Sequence, residues 1–207
     1  MASGPIVITP PKMEVVHIRI VGDSPLVINK FSAKAKAEMI ANQEAGSSAK
    51  TKKKHESKDF EATGNAARHV SSEGWDGIHA AAFRNAAISA CRAAGFVMTK
   101  AKLAIFVEAD GYDREDLTPL VRLTSGEPEI ITSPCRNATG VIDLRPRPHY
   151  FPWAATVRVR HDADILSTTD VCNLFARVGC QVGIGEGRPD SKQSAGQGNG
   201  LFRLESE

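Results

Sequence analysis

The chain has only four cysteines, Cys91, Cys135, Cys172 and Cys180, and none form a CxxC pair. That spacing argues against a zinc ribbon or a disulfide framework. The four read as reduced, partly buried thiols of a cytosolic protein. No window approaches the ~20 consecutive apolar residues that span a bilayer, so no membrane partner is expected. The N-terminal stretch has no basic run, and Pro10-Pro11 interrupts its short apolar segment, so it does not read as a signal peptide. There is no HExxH, no GxSxG and no P-loop signature. No carboxylate pair stands out for acid–base work, and His17, His55, His69, His79, His149 and His161 are scattered along the chain. Zinc-protease, α/β-hydrolase and P-loop ATPase chemistry are thereby set aside. No metal, no cofactor and no catalytic residue is expected. Internal repeats are also missing.

A length of 207 residues suits a single domain spanning 1–207. With 42% hydrophobic and 24% charged residues the composition is that of a globular protein, and a chain of this size buries roughly 70% of its unfolded surface without metal or disulfide.

Net charge is only +2, yet it is unevenly spread. Between Lys30 and Lys58 eight lysines face three glutamates. Between Glu108 and Glu129 seven acids face two arginines. From Arg136 to Arg203 nine basic residues face six acids. Basic segments therefore flank an acidic middle, a pattern suited to steering a polyanion or to docking one copy head-to-tail on the next. The competing reading is a solvated surface with no partner.

Residues 1–12 read as a flexible arm. Residues 45–72 are small, polar and lysine-rich with no sustained apolar stripe, which predicts a mobile insertion within the domain. Its basic tip, Lys50, Lys52, Lys53 and Lys54, suits non-specific phosphate contact or simply solubility.

Strand periodicity is clear over Glu14–Val21, where Val16, Ile18 and Ile20 oppose His17 and Arg19, and over Thr156–Arg160, where Val157 and Val159 oppose Arg158 and Arg160. Shorter strands are expected at Leu103–Val107, Leu120–Leu123, Glu127–Thr132 and Leu201–Glu205. Helices are expected over Ser32–Gln43, over Ala80–Ala94 with Gly95 as terminator, and after Ser167. There Asp170 makes a near-capping box and Val171, Leu174, Phe175 and Val178 form the apolar stripe up to Gly179. The order predicts an α+β protein, a ferredoxin-like (RRM-like) antiparallel sheet with helices on one face, plus the lysine-rich insertion. If the apolar strand faces pack on the helices, the opposite face carries His17, Arg19, Arg158, Arg160 and Arg203. Such a basic sheet surface suits single-stranded nucleic acid.

Two segments add to that reading. From Gly183 to Gly200, six of eighteen residues are glycine, with Arg188 and Lys192 alongside. The segment follows a helix and precedes a strand, the reverse of a dinucleotide-binding loop. Its glycines let backbone N–H groups approach phosphate; a plain surface loop is the alternative. Arg145-Pro146-Arg147-Pro148-His149-Tyr150-Phe151-Pro152-Trp153 interleaves basic and aromatic residues. Arg145 and Arg147 suit phosphate contact, whereas Phe151 and Trp153 suit either base stacking or burial.

The predicted core, the insertion after the first βα unit and the loop GIGEGRPDSKQSAGQGNGLFRLE together resemble the RAMP superfamily of CRISPR proteins. The absence of an evident catalytic His makes the likeness one to the backbone subunits that polymerise along guide RNA. The segments GDSPLVINKFSAKAKAEM, AAFRNAAISACR and NLFARVGCQVGIGEGRP also resemble a family of tailed-phage proteins. These resemblances imply a non-enzymatic protein of the bacterial host cytoplasm that coats single-stranded DNA or RNA and self-associates into a filament or ring. Two alternatives stay open. One is a metal-independent endoribonuclease of the same fold, with His17 or His149 as the weak candidates. The other is a phage structural or host-interaction protein with no nucleic-acid role.

Overall fold

A computed structural model describes residues 8–31, 33–44, 46, 59–136, 142–191 and 196–205. The first strand, β1 (Met13–Gly22), follows the alternation in the sequence, with Ile18 and Ile20 buried and His17 and Arg19 exposed. After the short β2 (Leu26–Val27), α1 (Ala33–Glu44) forms where a helix is expected. Then come α2 (Phe60–Asn65), β3 (Gly77–His79) and α3 (Ala80–Ala94). Helix α3 buries Phe83, Ala87, Ile88 and Cys91 and ends on Gly95 in the left-handed region. Next are α4 (Met98–Ala104), β4 (Ile105–Glu108), β5 (Gly111–Tyr112), β6 (Pro119–Ser125), β7 (Pro128–Arg136), β8 (Ile142–Tyr150) and β9 (Ala154–Asp162). Helix α5 (Thr168–Arg177) opens with the full Ser167–Asp170 capping box, and β10 (Phe202–Leu204) follows the glycine-rich segment.

The protein is α+β. A large antiparallel sheet runs β10-β1-β9-β6-β3, with β4 also on β9 and β5 on β6. A second sheet, β2-β8-β7, was not anticipated. Its β7–β8 hairpin takes in Arg145–Tyr150 of the segment that interleaves basic and aromatic residues, where the sequence pattern predicts no strand. Pro146 and Pro148 sit in β8, each paired across to β7. Only Tyr150 and His149 of β8 pair with β2, so the prolines lie along an edge where no N–H is needed.

Helices α3 and α5 pack on the face of the large sheet that carries Ile18, Ile20, Val157, Val159 and Phe202. Phe202 meets Phe83 and Trp153 edge-on, with centroids 6.5 and 6.1 Å apart. Trp153 is fully buried, and its indole N–H donates to the Ser24 carbonyl at 2.8 Å. Of the two residues held open between stacking and burial, Trp153 is core and Phe151 is exposed.

Three expectations are corrected. Residues 59–72 of the predicted mobile insertion are folded. Asp59 caps α2, Gly64 packs against Ile130 of β7, and Ala67 and Ser71 are buried. The contacts are made by small residues, which is why the segment shows no apolar stripe. Residues 45 and 47–58 lie outside the described residues. The strand expected from Leu103 begins at Ile105, because Ala101 and Ala104 bury one side of α4. Gly179 does not end α5. The chain continues through a π-helical turn, Val178–Val182, and Gly179 is instead the point where that turn touches the backbone of Phe202. Any Cβ there would collide with the Phe202 carbonyl.

Candidate nucleic-acid interface

Strand register decides which side chains share a surface, because directly paired residues point to the same side. In the β1–β9 ladder His17 stands opposite Arg158, Val15 opposite Arg160 and Arg19 opposite Thr156. Arg203 of β10 stands opposite Val21, and in the β4–β9 ladder Phe106 faces Arg160 and Glu108 faces Arg158. The sheet therefore gathers His17, Arg19, Arg158, Arg160 and Arg203 on the face away from α3 and α5.

That face is not bare of acid, as the sequence had suggested. Arg158 Nε lies 3.3 Å from Asp110, and its Nη1 lies 4.0 Å from Glu108. Arg160 Nε lies 3.9 Å from Glu108, Arg19 is 3.0 Å from Glu205, and Arg203 pairs with Asp23. The acids come from β4, the turn after it, the turn after β1 and the end of β10. Their position beside the arginines depends on pairings that no local pattern encodes. The result is an array of oriented guanidiniums with little net field. Such groups keep spare N–H donors for planar acceptors.

Aromatic rings interleave with them. Both Arg160 and Arg84 place their guanidinium carbon 5.4 Å from the Phe106 centroid. Across the same face a cleft of about 280 Å³ is lined by Glu73, Trp75, Asp110, Arg122, Thr124, Thr156 and Arg158. Trp75 can lie on the sheet because Gly77 and Gly111 beneath it have no side chains; a Cβ on Gly111 would stand 2.7 Å from the indole. The indole N–H donates to Glu73 at 3.1 Å, and Arg122 stands 5.8 Å from the ring. Arg158 Nε is buried there without a hydrogen-bond partner among the described residues.

The other expected contacts lie elsewhere. Arg147 is half-buried in β8 and binds Glu186 at 2.7 Å, while Arg145 is 3.7 Å from Asp143 on the hairpin. Arg188 donates to the Gly185 carbonyl at 3.1 Å. Lys50, Lys52, Lys53, Lys54 and Lys192 lie outside the described residues. The glycine-rich segment is a clasp in its described part. The N–H groups of Glu186 and Gly200 donate to Val27 and Pro25, and Asp190 pairs with Arg92 of α3 at 2.7 Å. Gly200, in the left-handed region, touches the Ile184 backbone so closely that no side chain fits. These amides serve the fold rather than standing free for phosphate.

His17 is exposed on the large sheet, whereas His149 lies in the second sheet, where burial holds its ring toward the neutral form. The two candidate histidines do not share a site. A separate buried cluster joins Lys30 Nζ to Asp113 at 2.7 Å and to Glu115 at 2.8 Å, with His69 Nδ1 3.1 Å from Asp113. Burial pulls the Lys30 ammonium down, but the hydrogen bonds to Asp113 and Glu115 outweigh it and hold it above the ordinary lysine range. Burial pushes the Asp113 carboxyl up, but Lys30, the Glu115 amide and His69 prevail and hold it below the usual carboxylate range. Both oxygens of Asp113 and the Lys30 ammonium are engaged within this cluster, which makes it a tether between the segment after β2 and the turn after β5.

Among the described residues no group of three or more His, Cys, Asp and Glu is placed to hold a metal ion, and no helix is long and apolar enough to cross a membrane.

Sequence reading missed Arg84, Phe106, Arg122 and Trp75. Arg122 alternates with Val121 and Leu123, and Phe106 falls in an expected strand, so both carried a signal. Trp75, in a loop, carried none. Searches against protein-family models and curated proteins find no match for this chain.

Proposed function

We propose that this is a non-enzymatic single-stranded nucleic-acid-binding protein that uses the outer face of its large sheet and associates head-to-tail along the strand. The observation that carries the reading is the co-facial array of Arg19, Arg158, Arg160 and Arg203 with Phe106 and Trp75. Arginines supply phosphate contacts and aromatics supply base stacking, which together bind single strands with little sequence preference. The path β1–α3–β4–β9–α5–β10, with spatial order β10-β1-β9-β4, supports a ferredoxin-like core, whose open sheet face is the surface that RRM-type modules use. The resemblance to RAMP backbone subunits and to tailed-phage proteins supports the same reading and a place in the cytoplasm of a bacterial host. A head-to-tail contact that does not close gives an open filament.

Because each arginine already has a carboxylate partner, binding exchanges ion pairs as well as releasing counterions. Stacking and hydrogen bonding therefore contribute a larger share than in a purely cationic groove. Fluorescence anisotropy against matched single-stranded DNA and RNA, titrated with salt and repeated at increasing oligonucleotide length, tests the proposal. Salt-sensitive binding that tightens with length supports coating; absence of binding to both at low salt refutes it.

A further inference from the structure

We propose that the cleft beside Trp75 is a pocket for one nucleobase and that it selects guanine. This rests on the sheet-face reading above and adds base recognition to it. The cleft of about 280 Å³ has a flat wall, the Trp75 indole, fixed by its hydrogen bond to Glu73 and by the absence of side chains at Gly77 and Gly111. A π-surface of this kind holds any base by stacking. The polar rim is what discriminates. The Asp110 and Glu73 carboxylates offer only acceptors, while Arg158 offers guanidinium donors; its Nε is buried, 3.3 Å from Asp110 Oδ1 and without a hydrogen-bond partner among the described residues.

Guanine has the matching edge. Its N1–H and exocyclic amine are adjacent donors for a carboxylate, and its O6 and N7 are the acceptors that guanidinium groups bind in pairs. Adenine offers an amine but no N1–H, so a carboxylate facing its ring nitrogen meets a lone pair. Cytosine and uracil present a smaller stacking surface to the indole. The hydroxyls of Thr124 and Thr156 complete the lining and can donate or accept. Asp110 already accepts from the Arg122 backbone N–H at 2.9 Å through Oδ2, which fixes the carboxylate plane and leaves Oδ1 directed to Arg158 and the cleft.

The test titrates the full chain with the 5′-monophosphates of guanosine, adenosine, cytidine and uridine while following tryptophan fluorescence. The chain has two tryptophans and Trp153 is fully buried, so quenching reports on Trp75. A second arm uses short uridine oligonucleotides carrying one central guanosine or adenosine. The guanosine forms are expected to bind about tenfold more tightly than the adenosine forms. Asp110→Asn, which places an amide donor or a weaker acceptor at the same point, is expected to erase that difference with the fold intact, and Trp75→Leu to remove the quenching. Equal response to all four nucleotides, or none, overturns the guanine pocket. If oligonucleotides then bind without base preference, the sheet-face reading survives alone. If guanosine monophosphate is preferred and no oligonucleotide binds, the pocket stands and the coating reading falls.

Discussion

Phe106 stands directly across the β4–β9 ladder from Arg160, and the Arg160 guanidinium carbon lies 5.4 Å from its ring centroid. A ring on an outer sheet face, flanked by a planar cation, is an arrangement a base can extend by stacking. Phe106→Ala is expected to weaken single-strand affinity about tenfold, within the roughly 1–3 kcal/mol that one stacked base contributes. Phe106→Tyr is expected to bind as well as the parent. Anisotropy titrations at fixed salt read both.

The Lys30–Asp113 pair is expected to dominate the pH dependence of stability. Lys30 Nζ and Asp113 are nearly inaccessible to water. Lys30→Met leaves the buried Asp113 with only the Glu115 amide and His69, and Asp113→Asn leaves the buried Lys30 with Glu115 alone, so each is expected to destabilise by up to about 3–5 kcal/mol in urea unfolding. The Asp113 carboxyl is depressed in the folded state, so its contribution is present above its unfolded value of ~3.9 and is lost as pH falls through the lower folded value. Lys30 is raised, so its contribution is present below its unfolded value of ~10.4 and is lost as pH rises through the higher folded value. A stability plateau between those limits is expected, and in Asp113→Asn the acid-side loss due to this carboxyl should disappear, so that the variant's deficit relative to the parent narrows as pH falls.

Gly179 touches the backbone of Phe202 with no room for a Cβ. Gly179→Ala is expected to cost about 1–3 kcal/mol by forcing the π-turn away from β10. Thermal unfolding of the variant checks this; an unchanged midpoint would mean that the two segments separate freely.

His161 is fully buried in β9, and neither ring nitrogen has a hydrogen-bond partner among the described residues. A buried polar group without a partner opposes folding by about 1–3 kcal/mol. His161→Leu is therefore expected to leave stability unchanged or raise it, as measured by the urea midpoint. A loss above that range would show that the ring is satisfied in solution.

What the sequence revealed followed what is local. The alternation of Val16, Ile18 and Ile20 against His17 and Arg19, the Ser167–Asp170 box and the Gly95 terminator are each decided by a few neighbouring residues, and each element formed. The second sheet was hidden because Pro146 and Pro148 mark a strand as unfavourable unless one knows that it lies at an edge. Residues 59–72 were hidden because Gly64 and Ala67 pack through backbone proximity rather than large apolar side chains. For the interface, strand alternation sufficed to gather His17, Arg19, Arg158, Arg160 and Arg203. The carboxylates of Glu108, Asp110, Asp23 and Glu205 entered through long-range pairings, so the face is less basic than strand alternation alone implied. Arg147 read as a phosphate contact because its partner Glu186 is distant in sequence.

The most direct measurement compares single-strand binding of the parent with Arg158→Ala/Arg160→Ala at low salt, alongside the thermal midpoint of each. Loss of at least about tenfold in affinity, with the fold retained, is expected, because the change removes two guanidinium contacts and leaves the Glu108 and Asp110 carboxylates facing the strand without their arginine partners. Undiminished binding by the folded double variant would place the strand elsewhere and contradict the sheet face as the interface.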